Sequence, residues 1–170
     1  MRLSALFGLI LGIGIGNHLT IILLIPPLIF WLKLKVGWQR LLSPFTILAL
    51  ASGLLVYLYI PIAAAQTPIV NWGDPANLKG FIWLVTGNIY RDNLSIPTLP
   101  NQLFFTTKLL TQQVNIVGLF LGITGALYLG KHRLSLLVTT LSFLILIVTY
   151  SAIYIARDSE VYIIPAVLIF

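Results

Sequence analysis

An amide, an indole and a carboxylate stand together in Asn71-Trp72-Gly73-Asp74-Pro75, a polar island in a chain that is otherwise strongly apolar. An aromatic platform flanked by amide and carboxylate groups suits a sugar. Arg91, further along the same polar stretch, suits a phosphate because its planar fork can donate to two oxygens at once. Asp74 also lies in a Gly-Asp-Pro turn, where a short carboxylate accepts hydrogen bonds from the local backbone. Both readings of Asp74 stand, as turn residue and as weak catalytic candidate. Asn17-His18 is the second polar pair. It interrupts a long apolar run, where polar side chains are costly and usually face a cavity or a partner. His18 can cap the broken helix ends, or it can act on a phosphate or hydroxyl, as donor or general base, because its charge is tunable near neutral pH. Asp158-Ser159-Glu160 is the third group. In an extended loop its two carboxylates point the same way and can share a divalent cation, whereas in a solvated loop they only set charge. No phosphate-cradling glycine loop, HExxH motif or Cys/His cluster is present.

The elements that must carry these groups are apolar helices. Residues 3 to 32 are almost wholly apolar. As one helix they would be roughly 45 Å long, against a hydrocarbon core of roughly 30 Å. Two short helices meeting at Asn17-His18 fit better, with Pro26-Pro27 restarting the second. The patterning predicts apolar helices over 3–16, 19–32, 44–62, 113–130, 134–155 and 161–170, forming one transmembrane domain. An outer loop over 63–112 holds a semi-apolar segment, Leu78 to Ile89, at headgroup level. Two small-residue ridges, Gly8/Gly12/Gly16 and Gly118/Gly122/Ala126/Gly130, have the spacing that lets helix backbones approach closely in lipid.

Composition sets the class. Of 170 residues, 59% are hydrophobic and 8% charged, and mean hydropathy is +1.02. Soluble domains carry about a quarter charged residues, so this is an integral, multi-pass membrane chain, all-α in fold class. Cysteine is absent, which removes disulfides and thiolate metal sites. Met1-Arg2 followed by an apolar run resembles a signal peptide, but no small-x-small cleavage site follows, so the segment reads as retained. The net charge of +6 is spread over short loops, which speaks against nucleic acid as a partner and for positive-inside topology. Lys33, Lys35, Arg40, Lys131 and Arg133 occupy two loops free of acids. Asp74, Asp92, Asp158 and Glu160 fall in the alternate loops. Loops 33–43 and 131–133 are therefore expected on the cytoplasmic face, of the plasma membrane in a prokaryote. Asn17, His18, Asp74 and Asp158 then share the outer or lumenal face.

Several blocks together resemble the DUF2723 family of protein O-mannosyltransferase-like enzymes, in the GT-C superfamily. They are Gly12-Ile13-Gly14-Ile15-Gly16-Asn17-His18-Leu19-Thr20, Tyr57-Leu58-Tyr59-Ile60-Pro61-Ile62, Asn71-Trp72-Gly73-Asp74-Pro75 with Gly80-Phe81 and Thr86-Gly87 through Tyr90, and Asp158 through Tyr162 to Pro165. The resemblance implies a GT-C-like helix bundle that moves a sugar from a polyprenyl-phosphate donor to an acceptor hydroxyl on a protein or glycan. It implies donor phosphate at His18 and Arg91, and sugar or acceptor at Asn71 and Trp72, with Asp74 orienting the loop. Asn17 and Asp158 are placed on the same substrate side. It further implies a catalytic carboxylate on an outer loop preceding this region, which nothing here matches. The chain is thus expected to be an internal or truncated piece of a longer enzyme, inactive alone. Two rivals remain. Broken helices with Gly and Pro also build transporter or flippase sites, and glycine ridges also suit a non-catalytic scaffold subunit.

Overall fold

The computed structural model describes residues 2–96, 99–156 and 159–169. The described residues are helical apart from turns and an isolated antiparallel bridge between Leu94 and Tyr154. Four helical stretches are long and apolar enough to cross a membrane: Leu19–Val36, Pro44–Ala64, Leu99–His132 and Leu134–Ile153. Where the composition suggests one domain, the chain divides into two compact units. One comprises Met1–Ile25 with Leu32–Arg91, the other Pro26–Trp31 with Asp92–Phe170.

In the first unit, α1 (Arg2–Asn17) packs on α4 (Pro44–Leu54). The glycine ridge explains how. A Cβ on Gly8 would lie 2.5 Å from the Thr46 carbonyl oxygen, and one on Gly53 would lie 2.5 Å from that of Leu9. One on Gly12 would strike the Leu50 carbonyl. The backbones touch because neither side has a side chain to hold them apart. The inward faces are small or polar, with Gly12, Thr46, Gly53 and Ala64 buried, while Phe45, Ile47, Leu48, Leu55 and Ile62 remain exposed. That inversion suits a solvent as apolar as leucine. After α1 a 3-10 turn, Leu19–Leu24, leads into α2 (Ile25–Val36), of which Pro26–Trp31 belongs to the second unit. The four-residue α3 (Trp38–Leu41) precedes α4, and α5 (Tyr59–Ala64) continues the α4 stretch through a 3-10 turn at Leu55–Leu58. Tyr57 donates its hydroxyl to the Ile15 carbonyl at 2.8 Å, satisfying one of the carbonyls that the last turn of α1 leaves open. Beyond α5 lies the short α6 (Leu78–Val85).

In the second unit, α7 (Leu99–His132) is two helices in series. Asn115 breaks it with φ 53° and ψ −177°. The Asn115 Oδ1 then accepts from the Val117 N–H at 2.9 Å and the Gly118 N–H at 3.4 Å, capping the following segment. The earlier segment buries Thr106, Leu110 and Val114 on one face. This corrects the expected loop over 63–112, since helix begins at Leu99. Pro97, Pro100 and the scattered polar residues hide a burial period of four whose first member is a threonine. α8 (Leu134–Ile153) returns alongside α7 after Arg133 alone, and α9 (Ile164–Val167) packs on both. At Gly118 and Gly130, the two ends of the expected second ridge, no neighbouring backbone comes close. A Cβ on Gly118 would meet only Val114 of its own helix, and one on Gly130 only a Leu137 methyl at 3.5 Å.

Candidate functional site

The island folds as an extended cap on α6. Asn77 occupies the N-cap, its Oδ1 accepting from the Gly80 N–H at 2.9 Å, the usual way a short polar side chain satisfies a helix's free donors. The Asn77 amide in turn donates to the Asp74 carbonyl at 3.0 Å and to the Asp74 Oδ2 at 3.1 Å. Asn71 donates to the other carboxylate oxygen, Oδ1, at 3.3 Å. Asp74 therefore ties both flanks of the loop, with each oxygen engaged. Its backbone is left-handed (φ 47°), as is that of Gly73 (φ 69°). For Asp this conformation is allowed because the short side chain bonds locally. Two further residues fix the loop's position. The Trp83 ring lies over Gly73, where a Cβ would come within 2.5 Å of the indole. A Cβ on Gly80 would collide with the Gly73 and Asp74 carbonyl oxygens. Pro75 is buried beneath, while Trp72 keeps 61% of its surface exposed.

The other end of α6 stops at Gly87 (φ 68°), whose N–H bonds the Leu84 carbonyl at 3.0 Å. A glycine in this conformation is the usual helix stop. The break of the first apolar run abuts this turn, because a Cβ on Gly87 would lie 2.6 Å from Leu19 Cδ2. His18, the residue before, caps the 3-10 turn: its Nδ1 contacts the Thr20 hydroxyl at 2.7 Å and accepts from the Thr20 N–H at 3.4 Å. Asn17 is exposed at the end of α1. Arg91 is exposed on the 3-10 turn Asn88–Asn93 that follows Gly87.

The candidates thus gather around one short helix. Asn71, Trp72 and Asp74 stand at its start, and Asn17, His18 and Arg91 lie near its end. Chemically, this presents an exposed indole and amide at one end of α6 and an exposed guanidinium near the other, on a rigid support. Asp158 and the Glu160 side chain lie outside the described residues. Among the described residues no cluster of three His, Asp or Glu side chains stands close enough to hold a metal.

The second unit contains a group that patterning passed over. Tyr150, Tyr154 and Tyr162 form an aromatic cluster with ring centroids 4.9 to 5.7 Å apart, two of the three contacts edge-on. Edge-to-face pairs are a favoured aromatic geometry. Asn93 donates its amide to the Tyr154 hydroxyl at 3.3 Å, and its carbonyl accepts the Ile155 N–H at 2.7 Å. The four-residue spacing of Tyr150 and Tyr154 at the end of α8 was a visible signal. The arrival of Tyr162 and Asn93 is tertiary and was not. Compared with known proteins, the chain matches no family model, no curated protein and no solved structure.

Proposed function

We propose that the chain is the membrane-embedded, substrate-side part of a glycosyltransferase, moving a sugar from a polyprenyl-phosphate donor to an acceptor hydroxyl at the outer or lumenal face. The observation that carries the reading is the island itself. Asp74, Asn77, Gly73 and Gly80 are all spent on holding one loop rigid, and what that loop presents is Trp72, exposed and preorganised as a stacking surface for a sugar. Rigid support of an exposed contact residue is what a binding site needs. Arg91 offers charge for the donor phosphate, and Asp74 acts by positioning Trp72 rather than on the substrate.

The break at Asn115 gives a transporter reading one specific feature, since discontinuous helices build transporter sites near the bilayer midplane. However, Lys108, Gln112 and Gln113 immediately precede the break, and apolar sequence resumes at Ile116. A break at the end of an apolar segment suits an interfacial site better than a midplane one.

The test is sugar transfer from a polyprenyl-phosphate donor, assayed in membranes holding the complete gene product. Trp72→Ala and Arg91→Ala should each lower transfer by about tenfold or more, the loss of one good contact. If both variants transfer at the parent rate, the island is not the substrate side. Uptake of a labelled solute by the same vesicles, lost in Asn115→Leu, would favour transport instead.

A further inference from the structure

We propose that the turn between α2 and α4 is a seat for an anionic phospholipid headgroup, with Lys35 and Arg40 holding the phosphodiester beside Trp38. The turn is short. Only residues 37 to 43 separate two apolar helices long enough to cross a membrane, Leu19–Val36 and Pro44–Ala64, so it is held where headgroups lie. Lys33, Lys35 and Arg40 are all exposed, and the turn contains no acid. An open concavity of about 610 Å³ is lined by Lys35, Gly37, Trp38 and Arg40.

Two features make this a built site rather than a charged tether. First, the turn is rigid. Thr46, buried on α4, donates its hydroxyl to the Arg40 carbonyl at 2.9 Å. Ser43 contacts the same hydroxyl at 2.9 Å and accepts the Thr46 N–H at 3.3 Å. Gly37 turns the chain with φ 76°. Second, Lys33 places its ammonium 5.5 Å from the Trp38 ring centroid. That cation–π contact places one cation on the indole, while Lys35 and Arg40 line the concavity. Trp38 is itself 46% exposed, as expected of an indole at the membrane–water interface. Arg40 supplies the fork that matches two phosphate oxygens, and Lys35 a point charge. The second basic turn, Lys131-His132-Arg133, has comparable charge, but His132 there packs against Tyr128 of its own helix at 4.7 Å.

The experiment is lipid selectivity, measured by electron spin resonance on the full chain reconstituted in phosphatidylcholine bilayers. The probes are spin-labelled phosphatidylglycerol and spin-labelled phosphatidylcholine. The parent chain should prefer the anionic probe. Lys35→Gln with Arg40→Gln should lower that preference about fivefold per cation removed, whereas Lys35→Arg should retain it. Lys131→Gln with Arg133→Gln should leave it nearly intact. An unchanged preference in the Lys35/Arg40 variant would overturn the seat. So would an equal fall in the Lys131/Arg133 variant, which would make the effect one of general charge. Loss of the parent's preference on adding inorganic phosphate, beyond that caused by sodium chloride of equal ionic strength, would assign the site to free phosphate instead of lipid.

Discussion

Asp74 shows how a residue with catalytic chemistry can be consumed by its own loop. With Oδ1 and Oδ2 bonded to Asn71 and Asn77, the side chain is an organiser, and its left-handed backbone restricts what can replace it. Asp74→Asn keeps a residue that tolerates this conformation but can accept only one of the two amides, so it should melt slightly below the parent. Asp74→Val, both β-branched and unable to accept the two amides, should lower the melting temperature in detergent clearly. If Asp74→Asn abolishes transfer while leaving the melting curve nearly unchanged, the organiser role is insufficient and the carboxylate acts on substrate. Removing the cap with Asn77→Ala should cost about 1 kcal/mol, read as a shift in the same melting curve with greater quenching of tryptophan fluorescence as Trp83 is uncovered. Part of this was legible. Gly73, Asp74 and Pro75 are turn residues on sight, whereas the capping role of Asn77 emerges only with the helix it starts. The roles of Gly80 and Trp83 were not legible either, because a close approach between a loop carbonyl and a glycine leaves no trace in residue type.

The helices divide into those whose glycines are needed and those whose glycines are not. Gly8 and Gly12 meet Thr46, Leu50 and Gly53 backbone to backbone, so Gly12→Leu or Gly53→Leu must push α1 and α4 apart. The expected loss is about 1–3 kcal/mol, seen as a lower melting temperature. Gly125→Leu, where an added Cβ meets nothing within 4 Å, should be neutral, and equal losses at Gly53 and Gly125 would refute the packing account. The Gly8/Gly12/Gly16 ridge could be read directly from its spacing of four, yet Gly118 and Gly130, at the ends of a run with the same spacing, meet no neighbouring backbone. Periodicity reports what a helix face permits, and only its neighbour decides whether the permission is used. Asn115 was equally opaque. Nothing distinguishes it from a polar residue at a helix end until its backbone turns left-handed. Asn115→Gly should be tolerated there, and Asn115→Ile should cost about 1–2 kcal/mol of backbone strain in addition to the lost cap.

Across the whole chain, the separation of basic from acidic loops predicts a topology, and the absence of cysteine makes it easy to test. Single substitutions Gln39→Cys and His132→Cys should react with an impermeant maleimide from one side of sealed vesicles. Gln66→Cys and Asp92→Cys should react from the other. Gln39 and Gln66 labelled from the same side would contradict both the charge rule and the outer placement of the island. The helical, membrane-type character was readable from composition because lipid rewards apolar surface everywhere, as the exposed Phe45, Leu48 and Ile145 illustrate. The division into two units was not, because it depends on which faces meet. α7 ends at His132, α8 begins at Leu134, and Arg133 alone joins them. A link of one residue leaves no slack for the first helix to settle in the bilayer while the second still waits in the ribosome. Residues 116 to 153 are therefore expected to leave the translocon as a single hairpin, so a charge introduced into either arm, such as Leu121→Arg or Ile145→Arg, should block integration of both.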